Sequence, residues 1–406
     1  MSSEGTDPAR PSIIAGAGPV QPSGAANPGP ARPLVDACVH PCVREPDELR
    51  AFMPRALSER FFPGLGRHFY PAPVSEFRAD ALLGGAASGL QQNLGGTKSS
   101  RELGANGPGA PGSDPATLRR HVLEEAGASH AVLVPLTRGL LPDRHVVNAI
   151  CQATNQWLVE RWLDPDNEDG RLRGSIRVNP ADPEHALREI ERWSGHPAMV
   201  QVAVPLESHA PYGQSHFQPV WEAAAACGLK VAVVAERANG VEFAPTPRGF
   251  PTHHIEFVAQ KPLAYLYHLA SLMAEGVFDR IRGLRVVFCD GGIDMLMPIV
   301  WRFDAGWRPS RSEVPWMGSP PSAYLAEHVR LCSSAQEGPA DPQALARWLE
   351  IAAGEQLLMY ASHYPFRQKR LADRFRQLPD AVAAAVLSGN AGDTYGLELL
   401  AAHVGE

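Results

Sequence analysis

Amphipathic helical segments alternate with short apolar runs along the chain from about residue 115 onward. Apolar residues recur at helical spacing in segments such as 144–162 and 262–278. The runs between such segments are short and almost continuously apolar, as expected for strands buried on both faces. Together with an earlier run, the pattern predicts strands at residues 34–40, 130–135, 174–179, 199–205, 230–235, 284–290, 329–333 and 357–363.

This alternation predicts an α/β fold, namely a distorted (β/α)8 TIM barrel spanning residues 33–406. Parallel strands require crossover connections, which the helical segments supply. An open, doubly wound sheet is the alternative, but such sheets usually carry a glycine-rich phosphate-binding turn near the first strand, where this chain has none. Since barrel chemistry gathers at the C-terminal ends of the strands, the polar residues at those ends are the candidates for a site.

Two segments fall outside the alternation. Residues 1–32 consist largely of Pro, Gly, Ala and Ser, and they predict a flexible or disordered N-terminal arm. Residues 84–114 are similarly rich in Gly and Pro, and they predict a long loop inserted after the first strand. Loops of this length serve as lids or interface arms, or they remain disordered.

Composition narrows the classes of partner. The chain has 406 residues, of which 44% are hydrophobic and 20% charged, and its net charge is −7. This charge predicts no nucleic-acid partner and no anionic membrane surface. The apolar runs are too short to span a bilayer, and the first residues lack the order of a signal peptide, so we expect a cytoplasmic protein. The 6 cysteines show no disulfide-framework spacing, which fits a reducing compartment.

The first strand carries the clearest chemical signal. In Leu34-Val-Asp-Ala-Cys-Val-His40, the side chains of Asp36, Cys38 and His40 alternate with apolar residues and should share one face. A Cys and a His two residues apart on a strand can bind one ion of the Zn²⁺ type. The alternative is a buried thiol beside a hydrogen-bonded histidine. Other strand ends carry Val234 with Glu236, Asp290, and Ser362-His363-Tyr364-Pro365.

Five local sequence motifs occur along the chain in an order that is typical of one protein family. They are Phe217-x-Pro-Val-Trp-Glu222, Gly276-Val-Phe-Asp-Arg280 with Leu284-Arg-Val-Val-Phe-Cys-Asp-Gly-Gly292, Trp301-Arg-Phe-Asp-Ala-Gly-Trp307, Ser362-His-Tyr-Pro365, and Gly389-Asn-Ala-Gly-Asp-Thr-Tyr-Gly396. From about residue 34 to 398 the chain resembles the amidohydrolase-related (amidohydrolase 2) family of the amidohydrolase superfamily. That branch includes aminocarboxymuconate semialdehyde decarboxylase and resorcylate decarboxylases. The resemblance implies a barrel with a metal site.

The chain departs from the ligand pattern that the resemblance implies. The family usually has D-x-H-x-H on the first strand, a His after the fifth, an acid or His after the sixth, and S-D-Y-P-H after the eighth. Here Cys38 replaces one first-strand His, and Val234 stands at the fifth-strand position. His363 replaces the eighth-strand Asp, and Phe366 replaces the His of the same motif.

Two interpretations of these changes remain open. One is a barrel that has lost catalysis and serves as a scaffold. The other is a remodelled single-ion site formed by Cys38, His40, His363 and Asp290, because two of the changes introduce good Zn²⁺ ligands. We therefore predict one bound zinc ion and a site that does not carry out ordinary hydrolysis. Loop residues His209, His253 and His254 are candidates for contacts with the metal ligands or a substrate, or they are merely solvated or structural.

Three functions are compatible with such a site. The leading hypothesis is a metal-binding subunit of a hetero-oligomeric metalloenzyme, whose partner is a related barrel with the intact ligand set. The two-subunit amidohydrolase-related oxygenase that acts on 2-aminoisobutyrate is similar in kind. The first alternative is an independent hydrolase or decarboxylase of a small carboxylate, with His363 as acid or base. The second alternative is a metal-free scaffold or ligand-binding barrel.

Overall fold

Eight parallel strands form one sheet in which each strand pairs with the next along the chain. The computed structural model describes residues 33–44, 48–61, 112–136, 143–165, 167–235, 253–334, 338–365 and 371–399. The strands are β1 Leu34–Val39, β2 Ala128–Leu133, β3 Leu172–Arg177, β4 Met199–Pro205, β5 Lys230–Val234, β6 Val286–Phe288, β7 Val329–Cys332 and β8 Leu358–Met359. The Ala37 amide of β1 donates at 2.9 Å to the carbonyl of Tyr360, the residue directly after β8, and this bond joins the two ends of the sheet. The predicted (β/α)8 barrel is therefore confirmed.

Helices connect the strands. They are α1 Arg55–Phe61, α2 Pro115–Leu118, α3 Arg144–Leu158, α4 Pro183–Trp193, α5 Gln218–Ala226, α6 His254–Ala274, α7 Val277–Arg280, α8 Ile293–Trp307, α9 Leu325–His328, α10 Pro342–Ile351, α11 Gly354–Leu357, α12 Leu371–Arg376, α13 Asp380–Ala384 and α14 Asn390–Tyr395. Aspartate side chains accept backbone N–H bonds at the starts of α2, α3, α4 and α10, which fixes where these helices begin. Within the described ranges, no helix has both the length and the apolar character needed to cross a membrane.

Both faces of the sheet are buried, which explains why the strands are continuous apolar runs rather than alternating ones. The outer face packs against the helices in one large apolar cluster that includes Trp157, Trp162 and Trp221. The inner face forms a second cluster of smaller side chains: Val35, Ala37, Cys38, Val132, Val134, Ala203, Ala232, Val234, Val287, Cys289, Cys332, Met359 and Ala361. The interior of the barrel is thus a packed core, and a ligand site can form only at an end of it.

The structure ends β8 earlier than the sequence pattern predicts. The predicted strand runs to His363, whereas the observed strand ends at Met359. The Tyr360 amide donates to the carbonyl of Val386, outside the sheet, at 2.8 Å. His363 itself has φ 52°, a left-handed conformation that no strand residue adopts. The predicted N-terminal arm, residues 1–32, and all but residues 112–114 of the predicted insertion lie outside the described residues.

Gly213, in the loop after β4, offers a test of the packing between that loop and α6. Its amide donates to the Ser271 hydroxyl at 3.1 Å, and an added Cβ would lie 2.1 Å from the Ser271 carbonyl oxygen. Because backbone atoms cannot yield as side chains do, we expect Gly213→Ala to lower the free energy of unfolding by about 3 kcal/mol. Urea denaturation measures this. Gly195→Ala is the matched control, since a Cβ there meets nothing within 4 Å, and an equal loss in both variants would contradict the prediction.

Candidate metal site

Two chain segments at the C-terminal end of the barrel bring three potential ligands together. Cys38 lies on β1 and His40 directly follows it, whereas His363 lies in the loop after β8. The Sγ atom of Cys38 is 3.7 Å from Nε2 of His40, which is 3.2 Å from Nδ1 of His363. All three ligand atoms lie within 4.8 Å of one another. The structure thus brings together three of the four predicted ligands.

The hydrogen bonds of the two imidazoles determine which nitrogens face each other. Nδ1 of His40 lies 2.9 Å from the Val134 carbonyl oxygen, and Nε2 of His363 lies 3.0 Å from the Ser333 carbonyl oxygen. A carbonyl oxygen only accepts, so these two nitrogens must carry the protons. In the neutral rings, the facing nitrogens of His40 and His363 then both present lone pairs, 3.2 Å apart. A shared proton or a metal ion between these two nitrogens would be favourable, because each nitrogen could then direct its lone pair at a positive charge.

Two of the three separations between the ligand atoms match those expected around a tetrahedral ion. Two nitrogens bound to Zn²⁺ at about 2.05 Å lie about 3.3 Å apart, and a bound nitrogen and thiolate lie about 3.6 Å apart. The observed separations, 3.2 Å between the histidine nitrogens and 3.7 Å between Cys38 and His40, are close to these edges. Bonds from a ligand's second nitrogen to a backbone carbonyl are also the usual way in which proteins orient metal-binding histidines. The donor set therefore fits a single Zn²⁺-type ion.

Backbone hydrogen bonds between β1 and the loop after β8 hold the ligands in place. The His363 amide donates to the Cys38 carbonyl at 3.1 Å, and the His40 amide donates to the Tyr364 carbonyl at 2.8 Å. The two imidazoles stack with their centroids 5.4 Å apart. The left-handed backbone of His363 costs on the order of 1–3 kcal/mol, which these contacts must offset.

Burial controls the charge of the Cys38 thiol. Its side chain is fully buried, and this desolvation raises the pKa of Cys38 well above the usual thiol range, with Cys289, Cys332 and Asp36 acting in the same direction. Without a cation, the thiol is therefore protonated at neutral pH. A divalent ion would replace that proton, so metal binding should release it.

The structure places the other candidates differently. Asp290 is half-buried after β6 and is not a member of the ligand group found among the described residues, so its role as a ligand stays a prediction. His253 is exposed at the start of α6 and its Nδ1 lies 3.0 Å from Glu256, while His209 is exposed in the loop after β4. The structure brings neither into the group. Val234 lies in the barrel interior, as its apolar side chain requires. The side chain of His254, and all of Glu236 and Phe366, lie outside the described part.

Sequence reasoning missed the groups that orient the ligands. The carbonyls of Val134 and Ser333 follow β2 and β7 and accept the histidine protons, but a backbone carbonyl leaves no trace in residue identity. The sequence placed Asp36 on the same strand face as Cys38 and in the first-strand motif but gave it no role, whereas its carboxylate accepts from the backbone of the loop after β8. Its position two residues before Cys38 was the available signal.

Comparison with known proteins gives one family and one fold. The family model described as Amidohydrolase matches residues 39–397. The structure is similar to the 5-carboxyvanillate decarboxylase LigW of Sphingomonas paucimobilis, with 18% identity, TM-score 0.61, and coverage of 91% of this chain and 100% of that chain. It is also similar to a dihydroxybenzoic acid decarboxylase of Polaromonas sp. JS666 with bound manganese and the inhibitor 2-nitroresorcinol, with 18% identity, TM-score 0.59, and coverage of 90% and 98%.

A further similar structure is an amidohydrolase of Mycobacterium avium subsp. paratuberculosis K-10, with 17% identity, TM-score 0.62, and coverage of 90% of this chain and 99% of that chain. Among curated proteins, none matches the sequence. At these identities the structural likenesses establish the fold alone.

Proposed function

Since the chain belongs to the amidohydrolase family matched over residues 39–397, we propose that it is a metal-dependent decarboxylase of a small carboxylate. The observation that carries the proposal is the pair of histidine lone pairs 3.2 Å apart beside the Cys38 thiol, at the end of the barrel where enzymes of this fold have their sites. Decarboxylases of aromatic carboxylates are among the similar structures, so an aromatic carboxylate is the proposed substrate class.

We propose zinc as the ion. One of the similar structures contains bound manganese, but a thiolate is a soft ligand that favours Zn²⁺ over Mn²⁺. Three protein ligands leave a coordination position open for a substrate oxygen, as in other catalytic zinc sites. When bound, the metal would supply a Lewis acid that withdraws electrons from the substrate.

The chain's own residues would bind the metal and transfer the proton. His40 and His363 each have one ring nitrogen at a backbone carbonyl, and the other would bind the ion, so neither ring would retain a nitrogen for proton transfer while it served as a ligand. This argues against His363 as acid or base. We propose that Asp290, half-buried just after β6 at the same end of the barrel, donates a proton to the carbon that loses CO₂ and is reprotonated from solvent, a role that replaces the one predicted for it as a ligand.

Metal content and CO₂ release test this function together. The full chain, purified without chelator, should contain about one zinc per chain by elemental analysis. It should release CO₂ from 2,6-dihydroxybenzoate or 5-carboxyvanillate, and removal of the ion should stop the release. Failure of the chain to take up zinc during dialysis would overturn the proposal. Uptake without CO₂ release from a panel of hydroxybenzoates would retain the ion and overturn the decarboxylase.

A companion subunit in a hetero-oligomeric metalloenzyme is the second candidate. The observation in its favour is that Cys38, Val234 and His363 stand where the family pattern has other residues. In that case the partner would be a related barrel with the intact ligand set, and the isolated chain would be inactive. Light scattering combined with the CO₂ assay separates the candidates, since a monodisperse, fully active single chain excludes the companion role.

A further inference from the structure

Asp36 lies on β1 beside the candidate metal site, and its carboxylate contacts the backbone of both segments that supply ligands. The residue is 2% exposed. Its Oδ1 atom accepts from the Ser362 amide at 2.9 Å and lies 3.5 Å from the Cys38 amide. One carboxylate oxygen therefore faces both chain segments that supply ligands.

The contact with Ser362 matters because the next residue is His363. The strained left-handed backbone of His363 is maintained only if its surroundings fix it from several sides. The bond between the His363 amide and the Cys38 carbonyl fixes one side, and the bond from the Ser362 amide to Asp36 fixes the other.

We propose that Asp36 is a positioning residue of the metal site, an inference that rests on the proposed function. Its carboxylate holds the Ser362–His363 backbone against β1, which keeps Nδ1 of His363 at 3.2 Å from Nε2 of His40. Asp36 is not itself in the ligand group among the described residues. Its effect on the ion is therefore indirect and acts through the place of His363.

Cobalt binding to the full chain tests the inference, because tetrahedral Co²⁺ with a thiolate ligand has a characteristic absorption spectrum. We expect Asp36→Ala to weaken Co²⁺ binding by about 10–100-fold, the usual effect of losing a group that orients a ligand, and to reduce the thiolate-to-cobalt band. Asp36→Asn retains a carbonyl oxygen as acceptor and should stay within about threefold of wild type.

Ser129→Ala is the matched control. Ser129 lies on β2, and its buried hydroxyl donates at 3.0 Å to the carbonyl of Leu34, which is at the end of β1 away from the metal ligands. This variant should lower stability in urea but leave the cobalt spectrum and affinity unchanged. A role of Asp36 in general stability alone would give the same result for Asp36→Ala, so an unchanged spectrum and affinity in that variant would overturn the inference.

Two further measurements cover the remaining outcomes. If Asp36→Ala does not fold, Asp36→Glu replaces it: the longer side chain keeps the charge but displaces Ser362, and equal loss of affinity is expected. If wild type binds no cobalt, the proposed function fails, and the crystal structure of Asp36→Ala decides the inference. If Nε2 of His40 still lies 3.2 Å from Nδ1 of His363 in that variant, the positioning role of Asp36 is overturned, whereas a longer distance supports it.

Discussion

Replacing His363 by alanine should strip zinc from the purified protein. The substitution removes one of three ligands, and it leaves the thiol of Cys38 and the ring of His40 as the remaining two. We expect the zinc affinity to fall by more than about 100-fold, beyond the 10–100-fold typical of residues that only orient a ligand. His40→Ala should have the same effect. Elemental analysis and competition with a chromophoric chelator measure the loss.

His216→Ala is the control for this pair of variants, because that exposed histidine lies in the 3₁₀ turn Ser215–Phe217 before α5, where its Nε2 is 3.3 Å from the Ala181 carbonyl oxygen. It should keep its zinc. Added zinc should raise the melting temperature of wild type and of this control but not of His363→Ala, since a ligand stabilises only the state that binds it. Full zinc occupancy in His363→Ala would show that the ion lies elsewhere.

Lowering the pH should destabilise the protein through His268, which is buried on α6. Its Nδ1 accepts from the Tyr212 amide at 3.2 Å, and its Nε2 lies 2.7 Å from the Leu206 carbonyl oxygen. Burial lowers the pKa of His268 to about 4, against about 6.5 in an unfolded chain. The folded state therefore favours the neutral ring. The resulting contribution of His268 to the free energy of unfolding is fully present above a pH of about 6.5 and is lost as the pH falls towards 4.

The size of the His268 effect can be measured by difference. Between pH 7 and pH 5 we expect wild type to lose about 2 kcal/mol of unfolding free energy through this group, and His268→Gln, which cannot titrate, to lose less by that amount. Burial also lowers the pKa of His130 to about 4, but that residue is present in both proteins and cancels. Parallel pH profiles of the two urea midpoints would contradict the prediction.

The fold was predictable because its signals are repetitive and local. The strand Met199–Pro205 was predicted with its observed bounds, since a run that is apolar except for Gln201 and is flanked by polar loops has one simple interpretation. The predicted ends of strands were wrong where tertiary contacts determine them. β8 ends at Met359 because the Tyr360 amide bonds outside the sheet, and nothing in the residues themselves indicates that bond.

The candidate site was predictable in part for a related reason. Cys38 and His363 were identified because parallel strands end at one side of a barrel, so residues far apart in sequence can be expected to meet. Their orientation was not predictable, because it depends on the backbone oxygens of Val134 and Ser333. Loop histidines such as His209 and His253 could not be placed either, since a loop's path is not set by periodicity.

The two histidines of the site lie 323 positions apart, one at the start and one near the end of the barrel sequence. An ion held between them would tie the first strand to the last and close a loop containing nearly all of the barrel. The entropy cost of closing so long a loop must be met by the fold itself. During synthesis, Cys38 and His40 are therefore translated long before His363, and the ligand set is complete only after the final strand has been translated. Metal loading would accordingly be among the last events of maturation and would mark a completed chain.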